Sequence, residues 1–183
     1  VRIAVISDTH MPRAASALPD ACLAHLTAAD AIVHAGDHSD VASLRALEEL
    51  GLPVIAVHGN VDSDEISREL PAQTAFESAG VRIAVTHDAG PSAGRARRMA
   101  DRFPDADGVV FGHSHIPLHH APEGGPWLLN PGSPTDRRRQ PHHTMALLDV
   151  REGDVKVDFL IVDGARASAL PDGLVRGRGQ PAE

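Results

Sequence analysis

Five short apolar runs in this chain each stop at a cluster of aspartate, asparagine or histidine, and this punctuation constrains the fold more than any other feature. Val1–Ile6 ends at Ser7-Asp8-Thr9-His10, and Ala31–His34 at Ala35-Gly36-Asp37-His38. Pro53–Val57 ends at His58-Gly59-Asn60-Val61-Asp62, Val81–Thr86 at His87-Asp88, and Gly108–Phe111 at Gly112-His113-Ser114-His115. Apolar runs this short, bounded by turn residues, read as buried strands. Helices fit between the first three. Pro19 opens one with apolar spacing at Ala21, Leu23 and Leu26, and Asp40 caps another that runs to about Leu50 before Gly51. Strand–helix alternation implies βαβ units and a largely parallel sheet, whose ligand site lies beyond the carboxyl ends of the strands. The polar clusters all fall at that edge.

The second half changes character. Thr74–Ser78 and Val81–Thr86 flank Ala79-Gly80 as a hairpin. A helix from about Ser92 to Phe103 carries Arg95, Arg97 and Arg98 on a basic surface. Trp127–Leu129, Thr144–Val150 and Val155–Ile161 read as antiparallel strands. The fold class is therefore α/β, a sandwich of two sheets with helices outside. A length of 183 residues suits one domain. That domain is expected over residues 1–163, and 164–183, which mix Gly, Ala, Arg and Pro without periodicity, read as a flexible C-terminal tail.

Composition narrows the function. The net charge of −8 argues against a stable nucleic-acid complex, which would call for a basic stripe. No apolar run approaches the ~20 residues of a membrane span, and Val1–Ile6 leads into polar residues too soon for a signal peptide. The single cysteine, Cys22, excludes an internal disulfide framework and a cysteine-based zinc site, so a reducing, cytoplasmic setting is expected. Histidine is the outlier, with 12 copies against 4 Phe and no Tyr.

Histidine is the commonest metal ligand. Asp8, His10, Asp37, Asn60, His87, His113 and His115 together offer carboxylate, amide and imidazole donors, a set suited to Mn, Fe, Zn, Ni or Co. Each cluster alone is as readily a turn or a helix cap. Five of them at one sheet edge are not. Seven donors exceed one tetrahedral ion, and a bridging carboxylate can serve two ions about 3.5–4 Å apart, an arrangement used on phosphate esters.

In this order, Asp8-Thr9-His10, Gly36-Asp37, Gly59-Asn60-Val61-Asp62, Thr86-His87 and Gly112-His113-Ser114-His115 resemble the calcineurin-like metallophosphoesterase superfamily. The short length and Asn130-Pro131-Gly132-Ser133 are similar to its small YfcE-type phosphodiesterase branch. The resemblance covers about Val1 to Ile161 and implies a four-layer α/β/β/α sandwich with a dinuclear centre. It implies that Asp8, His10 and His115 hold one divalent ion, that Asn60, His87 and His113 hold the other, and that Asp37 bridges. Mn²⁺ is the ion it favours. Catalysis is assigned to Asp37, Asn60 and His87, with a metal-bridging hydroxide attacking a small phosphodiester. Small relatives form dimers or tetramers, so a homodimer or homotetramer is admitted.

Val61 departs from the family, many of whose members have a histidine there to protonate the leaving oxygen. General acid help is worth roughly 10²–10⁴-fold, so its loss favours activated diesters over monoesters. His58 and His38 are nearby candidates for the missing acid, and His58, Asp88 and Arg137 (within Arg137-Arg138-Arg139) are candidate substrate contacts. Trp127 is more consistent with core packing than with base stacking. Two other readings remain open. One is a non-catalytic protein-binding scaffold on the same fold, as in the small retromer subunit. The other is a phosphomonoesterase or nucleotidase.

Overall fold

The computed structural model describes residues 1–171, 174 and 175. Two sheets face each other. The first has the order β11-β10-β9-β1-β2-β3, built from β1 (Arg2–Ile6), β2 (Ala31–His34), β3 (Val54–Ala56), β9 (Thr144–Arg151), β10 (Asp154–Ile161) and β11 (Ser168–Ala169). The second has the order β4-β5-β6-β8-β7, built from β4 (Gln73–Ser78), β5 (Val81–Thr86), β6 (Gly108–Val110), β7 (Leu118–His120) and β8 (Trp127–Asn130). β1, β2 and β3 run parallel, as do β5, β6 and β8. β8 therefore corrects the expected antiparallel pairing on its β6 side, while its β7 side is antiparallel. β9 and β10 are antiparallel as expected.

Strand periodicity generates the layers. On β1, Ile3 and Val5 face the second sheet and pack with Val33, Val85, Val110 and Leu129. Ala4 and Ile6 point the other way, under Ala21, Cys22 and Leu26 of α1 (Asp20–Thr27) and Leu47 of α2 (Val41–Glu48). The outer face of the second sheet, through Ala84, Val109 and Leu128, packs with Met99 of α4 (Arg95–Arg102). The result is the α/β/β/α sandwich. The Asp40 cap forms, its side chain accepting the Ser43 N–H (2.9 Å). A short α3 (Asp64–Glu69), capped by Ser63, was not signalled by periodicity because only Ile66 is buried. Burial pushes the Cys22 thiol up to about 12, so it acts as a small core hydrophobe.

Two expectations are refined. The basic surface of α4 is divided: Arg97 is exposed beside Asp101, while Arg95 and Arg98 turn back onto the preceding loop. Arg98 donates to the carbonyls of Ala89 and Pro91, and Arg95 to that of Gly90, so they stitch down the loop after β5. The tail expected from 164 is also corrected in part. Ser168 and Ala169 pair with Ile161 and Leu160, and Leu170 and Val175 join the core between the sheets. Burial of apolar Leu170 and Val175 contributes about 1.5–3 kcal/mol each toward holding them there. Residues 172, 173 and 176–183 lie outside the described residues.

Trp127 lies across Gly108, where any Cβ would run into the indole ring. Overpacking of this kind costs about 1–3 kcal/mol. Gly108→Val should therefore lower Tm by several degrees in thermal denaturation, at roughly 2–4 °C per kcal/mol for a domain of this size. An unchanged Tm would refute the packing.

Candidate metal centre

Each expected ligand leaves the carboxyl end of a strand. Asp8 and His10 follow β1, Asp37 follows β2, Asn60 follows β3, His87 follows β5, and His113 and His115 follow β6. The structure brings all seven together. The loops that carry them turn sharply. Nine non-glycine residues among those described have left-handed φ, and five are Asp8 (56°), His10 (45°), Asp37 (61°), His113 (68°) and His115 (57°). Such conformations cost about 1–3 kcal/mol each and persist where surrounding structure over-determines them. The glycines beside them serve close approach. A Cβ on Gly36 would come within 2.8 Å of His87 Nδ1, and one on Gly112 within 2.7 Å of Asp8 Oδ2.

The donors form two groups. In the first, His10 Nε2 lies 3.2 Å from His115 Nε2, which lies 3.3 Å from Asp8 Oδ1. In the second, Asn60 Oδ1 lies 3.1 Å from His87 Nε2 and 2.9 Å from His113 Nδ1. Asp37 Oδ2 stands between, 3.7 Å from His10 Nε2 and 3.3 Å from His87 Nε2. Its other oxygen, Oδ1, accepts the Val61 N–H at 3.0 Å. The floor is dry: Asp8, His10, Asp37, His87 and His115 are buried, while Asn60 and His113 form an exposed rim. Asp8-His10-His115 and Asp8-Asp37-His87 each bring three donors within a single ion's reach.

Tautomers sharpen this geometry. A carbonyl only accepts, so the His87 Nδ1–H donates to Ala35 O (2.8 Å), and the His115 Nδ1–H donates to Asp136 O. The Nε2 lone pairs of both rings therefore point at oxygen acceptors. Lone pair against lone pair is repulsive unless a proton or a metal cation lies between them. The donor set thus fits a metal. Titration agrees. Burial pulls His87 down, but the Asp37 hydrogen bond and the charges of Asp8 and Asp37 raise it above its ordinary value. Burial pushes Asp37 up, yet contacts with His87, the Val61 N–H and His10 together hold it below the usual carboxylate range. For His10 burial prevails and lowers its pKa.

Supporting contacts come from the Asn130–Ser133 segment and from Ser7 and Thr135, to which the sequence assigned no role. Ser133 Oγ donates to Asp8 O (2.8 Å) and Thr135 Oγ1 to Thr9 O (2.6 Å). Ser7 Oγ donates to Asp8 Oδ2 at 2.6 Å. Asn130 Nδ2 donates to Gly112 O at 2.6 Å, so Asn130–Ser133 braces the ligand loops from below. Arg138 Nη1 reaches His113 O (3.3 Å), while the neighbouring Arg137 turns to Gln140 O (2.7 Å). Asp88 Oδ1 accepts the Gly90 N–H at 2.6 Å within its own loop, and His58, half-buried, lies with Nδ1 3.3 Å from Gly59 O. The partners of Ser133, Thr135, Asn130 and Arg138 lie 18 to 126 positions away, beyond the reach of local spacing.

His38 is fully buried and donates from Nε2 to Val57 O (3.3 Å), which keeps it from serving a leaving group at the rim. It stacks on His34 with ring centroids 3.6 Å apart. His34 Nδ1 accepts the Gly36 N–H (3.2 Å), so its Nε2–H donates to Thr9 Oγ1 (3.0 Å) and the ring is neutral. Burial, followed by the neighbouring histidines His38, His87 and His10, pushes His34 well below its ordinary value. The unfolded chain takes up that proton at the usual pKa of about 6.5 and the folded chain refuses it. Stability from His34 is thus present above that pH and lost as pH falls below it; His87, with its raised pKa, acts in the opposite sense. Urea denaturation of metal-free protein should show stability declining from about pH 6.5 to 5, by up to ~1.4 kcal/mol per pH unit for His34. His34→Gln should flatten the decline, and an identical slope would refute the assignment.

Comparison with known proteins places this geometry. A family model described as the calcineurin-like phosphoesterase superfamily domain matches residues 1–153. A probable metallophosphoesterase of Methanothermobacter thermautotrophicus is 35% identical over 147 residues, covering 79% of this chain and 84% of that one. Vacuolar Protein Sorting 29 from Cryptosporidium parvum superposes with a TM-score of 0.79 at 19% identity, over 92% of this chain and 95% of that one. A structure described as a novel archaeal phosphodiesterase does so with a TM-score of 0.64 at 20% identity, over 86% and 98%. The last two speak to the fold alone. The family match, spanning the strand ends that carry all seven donors, and the 35% identity to a probable metallophosphoesterase lead to one assignment: the chain belongs to the calcineurin-like phosphoesterase superfamily.

Proposed function

We propose that the chain is a phosphodiesterase working with two divalent cations, Mn²⁺ the favoured ion, and a small phosphodiester as substrate. Asp8, His10 and His115 would hold the first ion. Asn60, His87 and His113 would hold the second, with Asp37 within reach of both groups. The observation that carries this reading is the convergence of buried lone pairs, since His87 and His115 have committed Nδ1–H to backbone carbonyls and present Nε2 to carboxylate oxygens. Such ions would lower the pKa of a bound water and neutralise charge on the phosphoryl oxygens.

The chain's own residues do the rest. The Val61 N–H fixes Asp37 Oδ1, leaving Oδ2 for both donor groups. Asn60 and His113 open the rim to substrate. Val61 cannot donate a proton, and His38 is sealed beneath the site, so the departing oxygen gets no help from that position. Diesters with good leaving groups tolerate this best, and a phosphodiesterase among the structural neighbours agrees. The buried thiol of Cys22 suits a reducing compartment, the cytoplasm.

A second reading, a protein-binding scaffold, is supported by the likeness to Vacuolar Protein Sorting 29 and by an apolar groove of about 450 Å³ between Met11, Leu18, Leu23 and Leu47.

Metal-stripped protein should be inactive on bis(p-nitrophenyl) phosphate and recover with added Mn²⁺. Asn60→Ala/His87→Ala should then lose at least ~10²-fold, since a catalytic metal contributes several kcal/mol. No turnover with Mn²⁺, Ni²⁺, Co²⁺ or Zn²⁺ would favour the scaffold. A second assay tests the proton. Val61→His should speed hydrolysis of esters with poor leaving groups by ~10–10²-fold, within the range of general acid catalysis, while changing the p-nitrophenyl diester little. Equal effects on both would reject the leaving-group argument.

A further inference from the structure

The ladder between β2 and β3 ends at the hydrogen bond from the Val57 N–H to His34 O (3.2 Å). Beyond it, segments 36–39 and 58–63 diverge as loops, yet Asp37 and Asn60 must face each other across them. One side chain spans the gap. Asp62 Oδ2 accepts the N–H groups of Asp37 (3.1 Å) and Gly59 (2.7 Å), and Oδ1 accepts that of Ser39 (2.6 Å). Asp37 answers by accepting the Val61 N–H on Oδ1 (3.0 Å), and Ser39 O accepts the Ser63 N–H (3.2 Å). Asp37 (φ 61°) and Ser39 (φ 89°) are both left-handed, so the segment that Asp62 grips is one that would relax if released.

We infer that Asp62 is a positioning residue that sets the spacing between the two metal-binding halves of the site by clamping the Asp37 and Asn60 loops through their backbone N–H groups. This rests on the two-ion reading above. A carboxylate is what the task needs. Three N–H donors approach two oxygens, and an ionised Asp is an acceptor only, with capacity for all three. Asparagine would keep one oxygen and turn an NH₂ against an N–H. Pinning the Asp37 backbone and its Oδ1 together leaves Oδ2 at one place, within reach of both His10 and His87. The clamp also explains why residue 61 tolerates valine: the loop uses its N–H, whatever the side chain. Outer contacts of this kind change metal affinity about 10–100-fold.

The test is Mn²⁺ binding to the full metal-stripped chain by calorimetry, with Asp62→Asn and Asp62→Glu made in parallel so that either folded variant suffices. Asp163→Asn is the control, because Asp163 also accepts a backbone N–H, from His143 (2.7 Å), but lies outside both donor groups. Wild type should bind two ions. The Asp62 variants should bind one ion within about threefold of wild type and the second ~10–100-fold more weakly, with kcat falling more than KM. Asp163→Asn should lower thermal stability and leave both binding steps unchanged, which separates positioning from general loop stability. Two ions bound with unchanged affinity by a folded Asp62 variant would overturn the clamp alone. A wild-type stoichiometry of one would overturn the two-ion reading and the clamp with it.

Discussion

Acceptors that face acceptors in a dry place are the constraint around which this structure is organised. Asp8, Asp37, His87 and His115 are buried, and the last two have no N–H left to offer the carboxylates beside them. In an apolar core such an arrangement would be strongly unfavourable. It is tolerable only with positive charge between the groups, from a proton, as the raised pKa of His87 reflects, or from metal ions. The strands exist in an order that makes this concentration of donors possible. β1, β2 and β3 in one sheet, and β5 and β6 in the other, point their carboxyl ends to the same edge.

Holding the donors there requires local conformations that the backbone disfavours. Left-handed φ at five of the seven donors is balanced by a shell of hydrogen bonds that approaches from several directions. Ser133 and Thr135 grip the backbone on either side of the Asp8-Thr9 peptide, Asn130 holds Gly112, and Asp62 ties the loops after β2 and β3. Arg95 and Arg98 secure the loop after His87 through its carbonyls. The loops are thus irregular but tightly determined, as a site needs when donor atoms must stay put before a ligand arrives.

Superposition on structures described as a novel archaeal phosphodiesterase and as Vacuolar Protein Sorting 29 shows a shared sandwich, and a fold by itself does not specify function. What this chain adds to the fold is the set of side chains at the strand ends, together with the tautomers forced by Ala35 and Asp136.

The sequence by itself determined most of the strands, the parallel run of β1, β2 and β3, and the candidate donors at the strand ends. Apolar period-two runs that stop at Asp, Asn or His carry that information within a few residues, and burial on both faces of β1 follows from its composition. It misjudged β8, because an apolar strand looks the same whichever way its neighbour runs, and it could not show that Arg95 and Arg98 reach loop carbonyls, because those partners carry no side-chain signature. Only the tertiary structure decided which ring nitrogen points inward, that His38 lies sealed beneath the site, and that Asp62 bridges two loops. Those outcomes depend on hydrogen bonds between residues roughly 20 to 130 positions apart, such as Asp62 with Ser39 and Thr135 with Thr9, and local pattern cannot register partners that chain folding alone brings within 3 Å.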